Sequence, residues 1–390
     1  MEAELKRLAR RFFSDWKEIK PVRFDPQTLV YPYSDELAWL CVNYMRTPSR
    51  VLADLFESKA KRLESLYEDV CEWMKKEDRS WLEDEMGISV RARDVADFPA
   101  SRAQIQGTLK NGIIEGAHKR ALTIHLEPDD PDILISIRGS KDTLVVSVDL
   151  AGRSMHERGY RLSRVKAPIR ENIAAQILML ARWNPRYEIL LDPMCGSGTF
   201  LIEGVCMARA MSLWTGDNRP AVDRLSAFAE FDRELAPLFD DTQANVFGND
   251  MAAHALKSAK KNCHNAKIKG VRFCNRDFEE IDQDVIKELA DPERELDLEQ
   301  GLIVCNPPYG ARLEADTVEL YKRMGQWFSR FGKGWRAAVI VANPEFDDYI
   351  PFKRTMKKPL ANASMSANLF VYDLGQAKAE ETPRYRRGKN

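Results

Sequence analysis

Leu190–Gly204 reads LLDPMCGSGTFLIEG, and the order of residue types in it decides the fold. Ile189, Leu190 and Leu191 run without a polar break into Asp192; a turn of small residues follows (Cys195, Gly196, Ser197, Gly198), and Thr199–Glu203 resumes in helix-compatible residues. A buried strand, a glycine turn and a helix start make the first βα unit of an open α/β sheet. The glycines let the backbone approach a ligand closely, and the first N–H groups of the new helix have no partner within it. Phe200 and Leu201 follow where a dinucleotide fingerprint would have its third glycine, and no Gly-Lys-Ser/Thr is present. A dinucleotide fingerprint and a P-loop are both poor fits.

The partner stretch is Leu302–Gly310, LIVCNPPYG. Ile303, Val304 and Cys305 form a short apolar strand that ends in Asn306, Pro307, Pro308 and Tyr309. Two prolines fix two φ angles and stiffen the segment. The Asn306 side-chain oxygen and the Pro307 carbonyl are then held in a set direction at the carboxyl edge of the sheet, where ligands bind. Two acceptors side by side suit an exocyclic amine, which has two N–H bonds to give. Tyr309 offers a face on which a base can stack. A proline-rich turn with a buried tyrosine is the plainer reading, and the upstream DPMCGSG loop weighs against it.

Length and composition set the bounds. A chain of 390 residues has room for two or three domains with separate cores. The net charge of −1 means that any nucleic-acid surface must be a local patch. Seven cysteines, an odd number with no C-x-x-C, point to reduced thiols and a cytoplasmic setting, and five scattered histidines form no metal-ligand cluster. No apolar run approaches the length of a membrane span, and MEAELKRLARRFF lacks a secretory apolar core.

The pair DPMCGSGTF and NPPYG resembles the class I S-adenosylmethionine-dependent amino-methyltransferases, which methylate exocyclic amines of adenine, cytosine or guanine. With RGYR (Arg158–Arg161) and APIRENIAAQIL (Ala167–Leu178) added, the match over Gly152–Leu374 resembles the THUMP-domain RNA methyltransferases. Within these it is most similar to the bacterial 23S ribosomal RNA guanine 2-amino methyltransferases. The resemblance implies a Rossmann-like, mostly parallel seven-stranded sheet, S-adenosylmethionine as cofactor, and RNA as partner, ribosomal RNA first and transfer RNA second. No membrane and no metal is implied.

By the same resemblance, catalysis falls to Asn306, Pro307, Pro308 and Tyr309. Cofactor binding falls to Asp192, Pro193, Cys195, Gly196, Ser197, Gly198, Thr199 and Phe278. Asp250, after the expected strand Asn245–Asn249, would accept from both ribose hydroxyls. Asp277, after the expected strand Val271–Cys274, would accept from the adenine amino group. Each acid could instead be a surface carboxylate or a helix cap. Pro168 and Arg170 stand at the head of an expected helix, Arg170–Trp183, which flanks the cofactor pocket in the family.

The rest of the chain divides around this core. Residues 1–50 carry an amphipathic helix (Leu5, Leu8, Phe12, Trp16), a strand near Val22–Phe24 and a helix at Asp35–Met45. The resemblance implies a ferredoxin-like subdomain here, shortened at its start. Residues 51–151 hold a helical stripe (Leu63, Leu66, Tyr67, Val70, Trp73, Met74), a strand Ile88–Arg93, a helix Ala103–His118 and strands Ile133–Arg138 and Thr143–Asp149. Pattern alone makes this an α+β domain, and the resemblance implies a THUMP-type RNA-binding module. Residues 152–172 read as a hinge, and in its stretch 152–166 Arg153, Arg158, Arg161, Arg164 and Lys166 surround Tyr160 with only Glu157 opposing them. Such cations can hold phosphates while the tyrosine packs or stacks, and an ordinary charged linker is the other reading.

Residues 173–375 form the expected methyltransferase domain. Residues 212–245 read as an insertion with an aromatic-rich helical stretch (Phe228, Phe231, Leu235, Leu238, Phe239). Residues 279–300 carry ten acids against two cations and are expected to lie away from RNA. A helix Val318–Phe331, a strand Arg336–Ala342 and a last strand Leu369–Leu374 complete the sheet. The tail 376–390, basic at its end (Arg384, Arg386, Arg387, Lys389), reads as disordered. The expected reaction is methyl transfer to the 2-amino group of a guanine in 23S ribosomal RNA. Its competitors are a transfer RNA guanine methyltransferase, a DNA adenine methyltransferase and a noncatalytic RNA-binding factor.

Overall fold

Glu2–Phe12 forms the first helix (α1), with Leu5, Leu8 and Ala9 buried along one side. The computed structural model describes all residues except 25–27, 77–80, 141, 162–168, 215–217, 232–233, 240–242, 293–295, 309–314, 363–364 and 379–390. The chain divides into two units: Met1–Arg158 with Ser212–Leu238, and Gly159–Met211 with Phe239–Asn390.

In the first unit a short hairpin of β1 (Arg23–Phe24) and β2 (Leu29–Val30) leads to α2 (Asp35–Tyr44). The Ser34 hydroxyl caps that helix by accepting from Leu37 N–H at 3.2 Å. There follow β3 (Leu52–Ser58), α3 (Leu63–Lys76), β4 (Met86–Arg93), α4 (Arg102–Lys119), β5 (Ile124–Leu126), β6 (Ile133–Ser140) and β7 (Thr143–Asp149). They build a five-stranded sheet in the order β3-β7-β6-β4-β5. Ser101 and Gln104 close a capping box at the start of α4. α3 and α4 approach closely because Gly116 and Gly112 face Met74 and Val70. A Cβ at Gly116 would stand 2.5 Å from the Met74 Cβ, so only glycine allows this contact.

Residues 212–238 return to this unit. The Trp214 indole N–H donates to Val42 O at 2.9 Å, the Tyr44 hydroxyl to Ala236 O at 2.9 Å, and Phe231 stacks on Trp39 with ring centroids 5.7 Å apart. The helical stretch expected here is absent from its described residues, which hold only the 3-10 turns Ala221–Arg224 and Ser226–Phe228. Phe231 packs on Trp39 of α2 and Phe228 on Phe231, and Pro237 has no N–H with which to continue a helix.

The second unit is α5 (Glu171–Leu180), β8 (Ile189–Asp192), α6 (Thr199–Arg209), β9 (Val246–Asn249), α7 (Ala253–Asn265), β10 (Val271–Cys274), α8 (Gln283–Leu289), β11 (Gly301–Cys305), α9 (Ala315–Phe328), β12 (Trp335–Val341), β13 (Phe352–Asn362) and β14 (Met365–Ala377). The seven strands lie in the order β10-β9-β8-β11-β12-β14-β13. The first five are mutually parallel and β14 runs antiparallel between β12 and β13. This is the Rossmann-like α/β sheet. β8 and β11 are buried at every position, as central parallel strands must be. One apolar layer joins Leu190, Leu302 and Val304 to α5 and α6, and the other joins Ile189, Ile303 and Val339 to α9. Strand β13 was not expected. Pro359 within it is tolerated because the strand lies at the edge of the sheet.

Candidate active site

Four parallel strands, β8 to β11, deliver polar residues to the same edge of the sheet. Asp192 closes β8, Asp250 follows β9, Asp277 follows β10 and Asn306 follows β11. All four line one cavity of about 700 Å3, together with Pro193, Cys195, Gly196, Ser197, Thr199, Phe278, Pro307 and Pro308. A cavity at the carboxyl edge of the strands is where open α/β sheets bind ligands.

The glycine turn is rigid for identifiable reasons. Gly196 and Gly198 have φ of 53° and 80°, the left-handed region that side chains avoid. A Cβ on Gly198 would also come within 3.1 Å of Ala259 Cβ on α7. The Asn262 side-chain amide, on the same helix, donates to Ser197 O at 3.0 Å. Asp250 accepts from Gly196 N–H and Ala252 N–H, both at 2.9 Å, so its two oxygens join the turn to the start of α7. Each oxygen still has a free lone pair to offer.

Two organising residues were not apparent in the sequence. Asn249 is buried; its amide donates to Pro193 O and Arg276 O, each at 3.0 Å, and its oxygen accepts from Arg276 N–H at 3.0 Å. One side chain thereby ties together the loops after β8, β9 and β10. Arg323, on α9, donates to Asp277 Oδ2 at 3.1 Å and to Glu279 Oε2 at 2.8 Å, and lies 5.2 Å from the Phe278 ring centroid. Asn249 sits beside an acid at a strand end, which is a weak signal. Arg323 lies 46 residues from Asp277, and no local spacing points to it.

Asp192 is 2% exposed, and its carboxylate accepts from Met194 N–H at 3.2 Å. Burial pushes its pKa well above the usual carboxylate range; the Met194 bond opposes this and the Asp250 charge adds to it. Burial likewise pushes the Cys195 and Cys305 thiols well up, so neither presents a thiolate nucleophile. Among the described residues no group of His, Cys, Asp or Glu could hold a metal ion.

Asn306 differs from its neighbours. Its Oδ1 is buried and has no hydrogen-bond partner among the described residues. Pro307 beside it is buried and Pro308 is exposed. Tyr309, Arg164, Lys166 and Pro168 lie outside the described residues. Arg170 is exposed at the N-cap of α5 and does not line the cavity.

The remaining hinge residues are committed inside the fold. Arg158 is 2% exposed and donates to Arg46 O at 2.6 Å and to Met155 O. Arg153 donates to Arg219 O at 2.8 Å and lies over Trp214. The Tyr160 hydroxyl is buried and donates to Glu203 at 3.2 Å. Arg161 donates to Thr199 Oγ1 at 2.6 Å and pairs with Glu171 at 3.4 Å, which places it against the head of α6.

Comparison with known proteins agrees with this fold. A ribosomal RNA large subunit methyltransferase K/L of Allochromatium vinosum is 35% identical over 268 residues, covering 64% of this chain and 34% of that protein. Its namesake in Cellvibrio japonicus is 28% identical over 379 residues, covering 90% and 48% respectively. The chain thus spans about a third to a half of the length of these curated relatives. Among solved structures, SMU.472, a putative methyltransferase complexed with SAH, superposes with a TM-score of 0.73 at 23% identity, covering 96% of each chain. The family described as UPF0020, RMKL-like, methyltransferase domain, matches residues 158–369. The chain belongs to this family of RMKL-like methyltransferase domains.

Proposed function

We propose that the chain transfers a methyl group from S-adenosylmethionine to the exocyclic 2-amino group of a guanine in 23S ribosomal RNA, giving 2-methylguanosine. The observation that carries the reading is the buried Oδ1 of Asn306, which has no partner among the described residues and belongs, with Pro307, to the lining of the cavity. A buried acceptor left without a donor costs about 1–3 kcal/mol, and an incoming N–H removes that cost. The named relatives support ribosomal RNA as the substrate class.

The residues of the cavity fit the cofactor. The turn lets a ligand approach the backbone at Gly196, where a Cβ would meet nothing within 4 Å, while Gly198 packs on α7 and does not line the cavity. Asp250 and Asp277 stand at successive strand ends as acceptors for hydroxyl and amino groups, and Phe278 supplies an apolar wall. Bound there, S-adenosylmethionine supplies an electrophilic methyl group.

The chain's own residues do the rest. The amine of guanine is a poor nucleophile because its lone pair is delocalised into the ring. Asn306 Oδ1 and the Pro307 carbonyl accept its two N–H bonds, turn the lone pair toward the donor and stabilise the positive charge that develops on nitrogen. Both acceptors are neutral, so no side chain takes the proton before attack. As the N–C bond forms the S–C bond breaks, with S-adenosylhomocysteine as the leaving group, and the methylated nitrogen then releases one proton to solvent. The base leaves its stack to reach the cavity, and Tyr309 is assigned to hold it there.

The test supplies isotope-labelled S-adenosylmethionine with unmodified ribosomal RNA and, separately, transfer RNA, followed by digestion to nucleosides and mass spectrometry. Labelled 2-methylguanosine from ribosomal RNA alone is the expected result. The same nucleoside from transfer RNA alone keeps the chemistry and replaces the substrate, and labelled methyladenosine overturns the guanine assignment.

A further inference from the structure

Arg153, Arg158 and Arg161, which the sequence offers for phosphate contact, are engaged within the fold, yet a second group of cations is mostly without an opposing acid among the described residues. From Met251 to Arg276 the chain carries seven lysines and arginines and no acid, in a protein whose net charge is −1. Arg272 and Arg276 pair with Asp291 and Glu288. Lys257, Lys260, Lys261, Lys267 and Lys269 are exposed, and among the described residues none of them is paired with an acid, although Lys260 lies over the Phe273 ring, 5.9 Å from its centroid.

Helical geometry gathers the cations. α7 buries Leu256, Ala259, Asn262 and Cys263. His254, Lys257, Lys261 and His264, at i, i+3, i+7 and i+10, share the opposite face and run along it for about 15 Å. This arrangement does not help the helix. Lys257 and Lys261 are four apart and repel by a few tenths of a kcal/mol. A cation gains from the helix dipole only in the last turn, which Lys257 does not reach. The buried face of α7 has a defined task, since Ala259 and Asn262 brace the glycine turn of the cavity. The exposed face has none within the described chain.

We infer that the lysine face of α7 is a contact surface for the phosphate backbone of the RNA substrate. The inference rests on the proposed RNA methyl transfer and adds a location to it. Through Ala259 and Asn262 the helix that holds the phosphates is also the helix that fixes the cofactor turn, so RNA held on this face is anchored to the element that shapes the cavity.

The experiment compares the full chain with its Lys257→Gln/Lys260→Gln/Lys261→Gln variant. Binding of a fluorescently labelled single-stranded RNA is followed by anisotropy over a range of KCl concentrations. Calorimetric S-adenosylmethionine affinity and circular dichroism serve as controls for the fold and the cavity. Each phosphate contact contributes about 0.7 to the slope of log affinity against log salt for a single strand. The variant is expected to lose about 2 from that slope and on the order of tenfold in affinity, with its RNA KM raised, kcat retained and cofactor affinity unchanged. An unchanged slope and KM in a variant whose parent methylates RNA overturns this surface and leaves the proposed function standing. A parent that neither binds nor methylates RNA overturns both, and a parent that prefers duplex DNA of the same length overturns the assignment to RNA.

Discussion

The two sides of the cavity are built on opposite principles. On the glycine side the donors and acceptors are spent on one another: Asp250 on Gly196 and Ala252, Asn249 on Pro193 and Arg276, Asn262 on Ser197. On the other side, Asn306 keeps Oδ1 without a partner among the described residues and behind two prolines. The first side is a mould whose shape is fixed before any ligand arrives. The second holds an acceptor in reserve, a destabilising arrangement that becomes favourable only when a donor enters. A mould suits the partner that is the same in every turnover, and a reserved acceptor suits the group on which the reaction is performed.

Removing the reserved acceptor breaks this contrast most severely. Asn306→Ala is expected to lower turnover by about 10²–10³-fold, the size found when one preorganised polar partner of a transition state is deleted. Cofactor affinity measured by calorimetry should hold, because the glycine side does not depend on Asn306. Turnover within a few-fold of the parent would refute the role.

A change on the moulded side should show the converse pattern. Asp250→Ala removes the acceptor of two backbone N–H groups as well as the proposed acceptor for the cofactor. Hydrogen bonds to a charged group are worth about 1.5–3 kcal/mol, so S-adenosylmethionine affinity should fall by roughly ten- to a hundredfold. The melting temperature should fall with it, since the turn loses its tie to α7. Intact affinity in this variant would mean that the turn holds its shape without the carboxylate.

How far the sequence foretold this site follows from how local each feature is. The β8 strand and its glycine turn are contiguous, and the positive φ at Gly196 and Gly198 belongs to residue types that announce it. The acids at the ends of β9 and β10 and the Asn306 segment are likewise read from strand-end position. What escaped depends on distance or on burial. Arg323 reaches Asp277 from a different helix. β13 mixes lysines, an arginine and a proline, and shows no alternation that would mark it as a strand before β14 pairs with it. Charged edge strands of this kind guard a sheet against pairing with another chain. Arg158 looks like a phosphate ligand in the sequence, and only the fold shows its guanidinium turned inward to carbonyls. The lysines of α7 carry no signal of their own in the sequence, because a sequence pattern does not show which cations lack an opposing acid in space.

The smallest expected effect concerns Asp192, which stands where the two sides meet. A carboxyl whose folded pKa is raised binds its proton more tightly in the folded chain than in the unfolded one. The stability it contributes is therefore full below the ordinary aspartate range and is lost as pH rises through the raised folded value. Asp192→Asn keeps an oxygen for Met194 N–H and cannot ionise, so it should melt a few degrees higher than the parent near neutral pH. The advantage should shrink as the medium is made acidic, which thermal unfolding across pH would register. A variant that is equally destabilised at every pH would show that the burial of Asp192 is matched by favourable contacts to its charged form. A stabilised variant with weaker cofactor affinity would instead mean that this acid is retained for the ligand at the expense of the fold, the trade expected where a site is more polar than its surroundings favour.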